Sequence, residues 1–232
     1  MAEVRVSCSG LVYAPVDDCI LGHYSRSKLK KKGKWFMSPF GGRNMHDETV
    51  DSFMKSLNVR YESKERQLNL WLPEKNVERF VDWLYEGQDR EIVPLRELGE
   101  ELVDEEHVFP DREVPFTLDR GFTLRKLTER AGGGPPTFYF FDVYRMQLEN
   151  YDAFRQAENR EGCGIRLVTR KEIDIGKMNR PGLSEHNAEL GDMFQYFDLP
   201  KQELEARVTL NAKDNVEVTD ISDEIHKFER FL

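Results

Sequence analysis

This sequence of 232 residues has few cysteines, no long apolar run and no excess of positive charge. The three cysteines, Cys8, Cys19 and Cys163, are odd in number and far apart, and no C-x-x-C pair occurs, which argues against a disulfide framework or a zinc site. No stretch of about 18 apolar residues occurs, and the start of the chain has no apolar leader. We therefore expect a cytoplasmic protein with no membrane partner.

The charge balance narrows the ligand classes further. The net charge is −9 at pH 7, which disfavours binding of long nucleic acid because that requires a basic surface. Aromatic residues are plentiful, with 15 Phe, 8 Tyr and 3 Trp, so a substantial core is expected. An acidic chain of this kind needs a cation if it is to handle phosphates.

Hydrophobic patterns predict a mixture of strands and helices, which is typical of the α/β class. The predicted strands cover residues 4–13, 19–24, 122–127, 137–147 and 164–169, and a helix is predicted at 92–103. The C-terminal part is predicted to hold a helix at 184–196, strands at 207–210 and 216–221, and a last helix. The five histidines show no metal-ligand spacing, so surface positions are expected for them.

Residues 49–88 have a pattern of their own. A short helix at 53–57 is followed by strands at 58–62 and 67–72 and by a helix from Pro73 to Gly87. The second helix carries an apolar stripe with i, i+3, i+4 and i+7 spacing, made of Val77, Phe80, Val81 and Leu84. We interpret this block as a small ββα-type insert.

The sharpest local signal is the run Arg96-Glu97-Leu98-Gly99-Glu100-Glu101. On a helix, Glu97, Glu100 and Glu101 occupy positions i, i+3 and i+4, so three carboxylates share one face. Either this face is simply solvated, or it binds a hard, oxygen-preferring cation such as Mg²⁺ or Mn²⁺.

Neighbouring motifs resemble the Nudix box. Gly42 and Glu48 form G-x5-E, and the acidic run has the form R-E-U-x-E-E, in which U is aliphatic. These pieces resemble the two halves of the box G-x5-E-x7-R-E-U-x-E-E-x-G-U, here separated by the insert. The tryptophan-to-diglycine stretch at 35–42 and the Glu161-Gly162 loop before a late strand extend the resemblance over residues 3–175. One departure is Val103, which stands where the box has its final glycine.

The resemblance to the Nudix hydrolase superfamily implies a Nudix-like α/β/α sandwich with a mixed sheet. The Nudix-like domain would cover residues 1–175, with the insert at 49–88 inside it. Residues 176–232 would form a C-terminal extension packed on the same domain. The implied activity is metal-dependent hydrolysis of a nucleoside diphosphate-linked or related nucleotide substrate.

The resemblance also assigns roles to individual residues. Glu97, Glu100 and Glu101 would bind Mg²⁺ or Mn²⁺, with the carbonyl of Gly41 as a further ligand. Arg96 would hold the helix by pairing with a carboxylate, for which Glu48 is the candidate. Glu161 would serve as another metal ligand or as the general base, with Glu158 as the competing choice.

Two other functions remain open. A Nudix-fold module that senses a nucleotide without turnover, as in bacterial nucleotide-signalling defence, is favoured by the split box and by Val103. An acidic scaffold without a ligand is the third reading. For the insert we expect a role in dimerisation or in substrate recognition, and we therefore expect a homodimer.

Overall fold

The computed structural model describes residues 3–24, 35–63, 65–110, 116–130, 134–148, 151–179, 187–191, 194 and 216–220. The strands in chain order are β1 (Glu3–Tyr13), β2 (Pro15–Val16), β3 (Cys19–Tyr24), β4 (Phe36–Ser38), β5 (Phe40–Arg43), β6 (Arg60–Tyr61), β7 (Asn69–Pro73), β8 (Phe116–Arg130), β9 (Gly134–Leu148), β10 (Ile165–Thr169), β11 (Lys177–Asn179), β12 (Asn187–Leu190) and β13 (Val216–Asp220). The α-helices are α1 (Asp51–Ser56), α2 (Val77–Glu86), α3 (Leu95–Gly99), α4 (Asp152–Glu158) and α5 (Arg170–Ile175). Short 3₁₀ turns at Glu48–Val50 and Glu74–Asn76 precede α1 and α2, and a π-helical segment, Glu100–Glu105, continues α3.

The strands form two mixed sheets. The first has the order β13-β8-β9-β1-β7-β6, with β5 also paired to β1, and the β1–β9 pair is parallel. The second has the order β10-β3-β4-β12-β11, with β2 paired to β3, and the β12–β4 pair is parallel. Both sheets also contain antiparallel pairs. The predicted α/β class with mixed strand pairing is therefore confirmed.

Strand β1 supplies apolar side chains to both sides of its sheet. Val12 and Ala14, which directly follows the strand, pack with Leu98 and Leu102 in one cluster, which lies under the acidic helix. On the same face, Val6 belongs to a second cluster, which lies under the insert. Leu11 and Tyr13 lie on the opposite face, in a third cluster with Val168 of β10. Because the alternation of a strand sends successive side chains to opposite faces, an apolar strand of this kind must be covered on both sides.

The insert folds as helix, strand, strand and helix, as the pattern predicts. Its second strand, β7, pairs antiparallel with β1, so the insert extends the main sheet. From the predicted stripe, Phe80 and Leu84 are fully buried, and Trp83 packs beside them against the same cluster as Val6. About 40 residues rarely support a core alone, and here β1 supplies the missing apolar surface.

The helix predicted at 184–196 is wrong over the described part of that range, because residues 187–190 form strand β12. This strand pairs in parallel with β4, and Leu190 is in register with Met37 in a buried cluster. Tertiary pairing has overridden the local preference. The strand predicted at 216–221 is confirmed as β13, while the predicted strand at 207–210 and the last helix lie outside the described residues.

Cys8, Cys19 and Cys163 are all free thiols. Within the described ranges, every helix is too short or too polar to span a bilayer.

Candidate functional site

The acidic run lies on a helix that is α-helical in its first part and π-helical in its second part. α3 begins after Pro94, and at Glu100 the helix passes into π-helical geometry, which continues to Glu105. Leu98 and Leu102 lie on the inner side and are buried in the core with Phe40. The apolar inner side fixes the helix on the sheet, so its carboxylates lie along the diglycine strand β5.

The two glycines of β5 allow the carboxylates to approach the backbone. The amide of Gly41 donates a hydrogen bond to Glu101 at 2.8 Å. A Cβ on Gly42 would lie 2.3 Å from the carboxyl carbon of Glu97, which is closer than real side chains allow. The predicted neighbours Gly41, Glu97 and Glu101 are therefore brought together, and glycine is required at residue 42 for this contact.

Arg96 binds three carboxylates at the start of this helix. Its guanidinium lies 2.7 Å from Glu97, 3.1 Å from Glu91 and 3.2 Å from Glu100, and it also donates to the carbonyl of Arg43. Burial of the Glu91 carboxyl raises its pKa, against the opposing effect of its bond to Arg96. Arg96 thus holds Glu97 and Glu100 in a fixed arrangement.

The predicted partner of Arg96 is corrected by these contacts. Glu48 is 73% exposed, and its ion-pair partner is Arg66 at 3.6 Å. The insert follows Glu48 directly in the chain, so Glu48 lies beside Arg66 of the insert and not beside Arg96. Glu91 lies just before the helix and takes the place expected for Glu48, and it also accepts the amide of Met45 at 3.1 Å.

A buried histidine completes the site. His23 of β3 lies with Nδ1 3.3 Å from Glu101 and Nε2 3.0 Å from Glu106, and its ring stacks on Phe40. Burial alone would lower its pKa, but the two carboxylates more than offset this and raise the pKa to about 9. The expected surface position is wrong for His23 and also for His46, which is 4% exposed. The place of His23 in the apolar strand beside Leu21 was a signal of burial.

Glu106 is a second residue that sequence reasoning missed. Its side chain is buried and accepts the amide of Gly164 at 2.5 Å. Burial opposes ionisation, but the bonds from His23 and Gly164 lower the pKa of Glu106 to about 2. In an α-helix, the side chains of residues five apart point roughly 140° away from each other. Here the amide of Glu106 donates a hydrogen bond to the carbonyl of Glu101, and this π turn brings both carboxylates to His23.

The end of the helix differs from the Nudix pattern. Val103 lies inside the π-helical segment, and the chain leaves the helix at His107, which has a φ of 48°. Nδ1 of His107 bonds the carbonyl of Val103, and Arg160 donates to the carbonyls of Glu106 and His107. The exit from the helix therefore lies four residues after the position of the box glycine.

The loop before β10, which contains Glu161 and Gly162, contacts this end of the helix through Arg160 and Gly164. Glu161 is exposed at the turn, and the structure shows no hydrogen bond or ion pair that joins it to the described helix carboxylates. Glu158 accepts the amide of Leu167 at 2.9 Å. The role of Glu161 as metal ligand or general base stays a prediction.

Comparison with known families decides the class of protein. The family model described as the SMODS-associated NUDIX domain matches residues 3–197. The chain belongs to this family. Comparisons with curated proteins and with solved structures gave no match. The Nudix resemblance seen in the split box is therefore confirmed.

The donor set of this NUDIX domain fits a divalent cation. Five carboxylates surround two basic side chains, so negative charge is in excess; they are Glu91, Glu97, Glu100, Glu101 and Glu106 around Arg96 and His23. Carboxylate oxygens are the ligands that Mg²⁺ and Mn²⁺ prefer.

Proposed function

We propose that the protein is a metal-dependent Nudix-type hydrolase that cleaves a phosphoanhydride bond in a nucleoside diphosphate-linked or related nucleotide. The observation that carries this proposal is the placing of Glu97 and Glu101 against the diglycine backbone of β5. Glu100 lies beside them on Arg96. A pyrophosphate would be repelled by this carboxylate cluster unless divalent ions offset the charge.

Each residue has a distinct task in this proposal. Glu97, Glu100 and Glu101, with the carbonyl of Gly41, would hold Mg²⁺ or Mn²⁺, and the ion would supply an activated water and neutralise developing charge. Arg96 orients two of these carboxylates. Glu161 is the better candidate for general base, because it is exposed, while Glu158 already accepts the amide of Leu167.

A second candidate function, nucleotide sensing without turnover, is favoured by one specific observation. Each of the three carboxylates already has a basic partner within the chain: Arg96 for Glu97 and Glu100, and His23 for Glu101. A site neutralised in this way can remain folded without metal and bind a ligand without cleaving it. The SMODS association in the family description fits this candidate only loosely.

A nucleotide panel separates the two candidates. The full chain is incubated with each nucleotide and Mg²⁺ or Mn²⁺, and both release of phosphate or nucleoside monophosphate and binding are measured. Hydrolysis is expected for at least one substrate, and Glu100→Gln should lower the rate by about two orders of magnitude or more. Glu78→Gln, on the exposed side of α2, is the matched control.

The results have different meanings. Binding without turnover would support the sensor, and neither binding nor turnover would leave the acidic scaffold. Turnover that Glu100→Gln does not change would place the chemistry elsewhere.

Homodimerisation and a cytoplasmic location stay predictions. The apolar stripe of the insert is buried against β1, so a dimer contact on the insert would use the outer side of α2. Deleting the insert would also remove β7 from the sheet. Light scattering on the intact chain and on variants of exposed α2 residues such as Arg79 is therefore the better test.

A further inference from the structure

We propose that His23 and Glu106 are positioning residues that control the access of a divalent ion to Glu101. In the absence of the ion, His23 bridges the two carboxylates. When an ion binds Glu101, Glu106 retains His23 and so frees the Glu101 oxygen. This inference rests on the proposed metal-dependent function.

The bridge is unequal, and this decides which end is released. Nε2 of His23 lies 3.0 Å from Glu106, whereas Nδ1 lies 3.3 Å from Glu101. Glu106 is 2% exposed and is also held by the amide of Gly164, so it cannot turn outward. The side chain of Glu101 is 16% exposed, and it borders β5 beside Gly41 and the carboxylate of Glu97. Glu101 is therefore the end that meets an ion, and Glu106 is the fixed end.

The helix geometry serves this arrangement. A regular α-helix would place residues 101 and 106 on different sides, and the π turn brings both to one imidazole. π-helical turns are uncommon and often occur at functional sites. The ring of His23 also stacks on Phe40, with the ring centroids 5.8 Å apart.

The proposal predicts opposite effects for the two residues. Removing His23 removes the group that competes with the ion for Glu101, so affinity for the ion should rise. Removing the Glu106 charge weakens the bond that holds Nε2, so His23 competes more strongly with the ion for Glu101, and affinity should fall. In a chain without His23, the Glu106 substitution should have little effect, because the competing group is gone.

Calorimetric titration of the full chain with Mn²⁺ tests this pattern. We expect Glu106→Gln to weaken Mn²⁺ binding by about tenfold, as other substitutions around metal ligands do. His23→Gln should tighten binding, and the double variant should bind like His23→Gln. Glu78→Gln is the control, and circular dichroism checks the fold of each variant. Equal affinities in Glu106→Gln and the unchanged protein would overturn the inference.

A second measurement uses the unchanged protein, so it does not depend on whether a variant folds. In protein labelled with ¹⁵N-histidine, the His23 ring signals are followed by NMR while Mg²⁺ is added. The Nδ1 proton signal should be lost or shifted as Mg²⁺ binds, and the Nε2 proton signal on Glu106 should persist. Loss of both signals, or of neither at saturation, would overturn the inference while metal binding itself still stood.

Failure of the proposed function has a separate signature. If neither Mn²⁺ nor Mg²⁺ binds the unchanged protein, both the metal-dependent function and this inference are overturned. If the ions bind and Glu101→Gln abolishes binding, the metal site stands, and the Glu106 and His23 variants judge the inference alone.

Discussion

Arg90 and Asp142 form an ion pair at 2.9 Å in which the side chains are only 4% and 2% exposed. The hydroxyl of Thr123 donates a further bond to Asp142 at 3.1 Å. Arg90 also donates to the carbonyls of Leu84 and Glu91. The pair therefore joins the end of the insert and the segment before the acidic helix to strand β9.

Substitution of one partner of this pair should be strongly destabilising. Asp142→Asn leaves the Arg90 charge buried without its carboxylate, and we expect the free energy of unfolding to fall by about 3–5 kcal/mol in urea titrations. Arg155→Ala is the control, because Arg155 pairs with Asp17 on the surface, and such pairs contribute about 1 kcal/mol or less. Similar losses in the two variants would contradict the prediction.

Gly42→Ala should damage the proposed metal site more than the fold. The new Cβ would lie 2.3 Å from the Glu97 carboxyl carbon, so this carboxylate must move. We expect Mn²⁺ affinity to fall by about tenfold or more in calorimetric titrations. Gly191→Ala is the control, since its nearest contact would be 3.3 Å. Unchanged Mn²⁺ affinity in Gly42→Ala would show that Glu97 does not contribute a ligand.

Val103→Gly should destabilise the protein although it restores the glycine of the Nudix box. Residue 103 lies inside the helix, where glycine costs about 1 kcal/mol relative to alanine, and the turn out of the helix is made at His107. The comparison with Val103→Ala in urea unfolding separates this backbone effect from the loss of the valine side chain. A Val103→Gly protein as stable as Val103→Ala would mean that the helix ends near residue 103.

His23 should make the stability of the metal-free protein depend on pH. Its pKa is raised from 6.5 to about 9 by Glu101 and Glu106, which outweigh the opposing effect of burial. A raised pKa in the folded state gives stability that is complete below about pH 6.5 and is lost as the pH rises through about 9. Urea unfolding between pH 6 and 9.5 should therefore show a decline in the unchanged protein that His23→Gln lacks. Parallel curves would contradict the prediction.

Much of the site was readable from local pattern. The spacing of Glu97, Glu100 and Glu101 predicted one helix face, which follows from short-range geometry because a helix repeats every 3.6 residues. The elements of the insert were predictable for the same reason. The diglycine at 41–42 was part of the stretch that extended the Nudix resemblance. Together with the split box, these features identified the Nudix family from the chain alone.

Other features were decided by tertiary structure. Glu91 rather than Glu48 pairs with Arg96, because the path of the insert determines which carboxylate lies near the helix. His23 and Glu106 are in contact because β3 lies beside a π turn, which the local sequence pattern did not predict. Contacts between residues distant in sequence depend on how the elements pack. The sequence by itself therefore determined the helix and its carboxylates. The partners of these carboxylates were decided only by the packing of β3, the insert and the loop before β10.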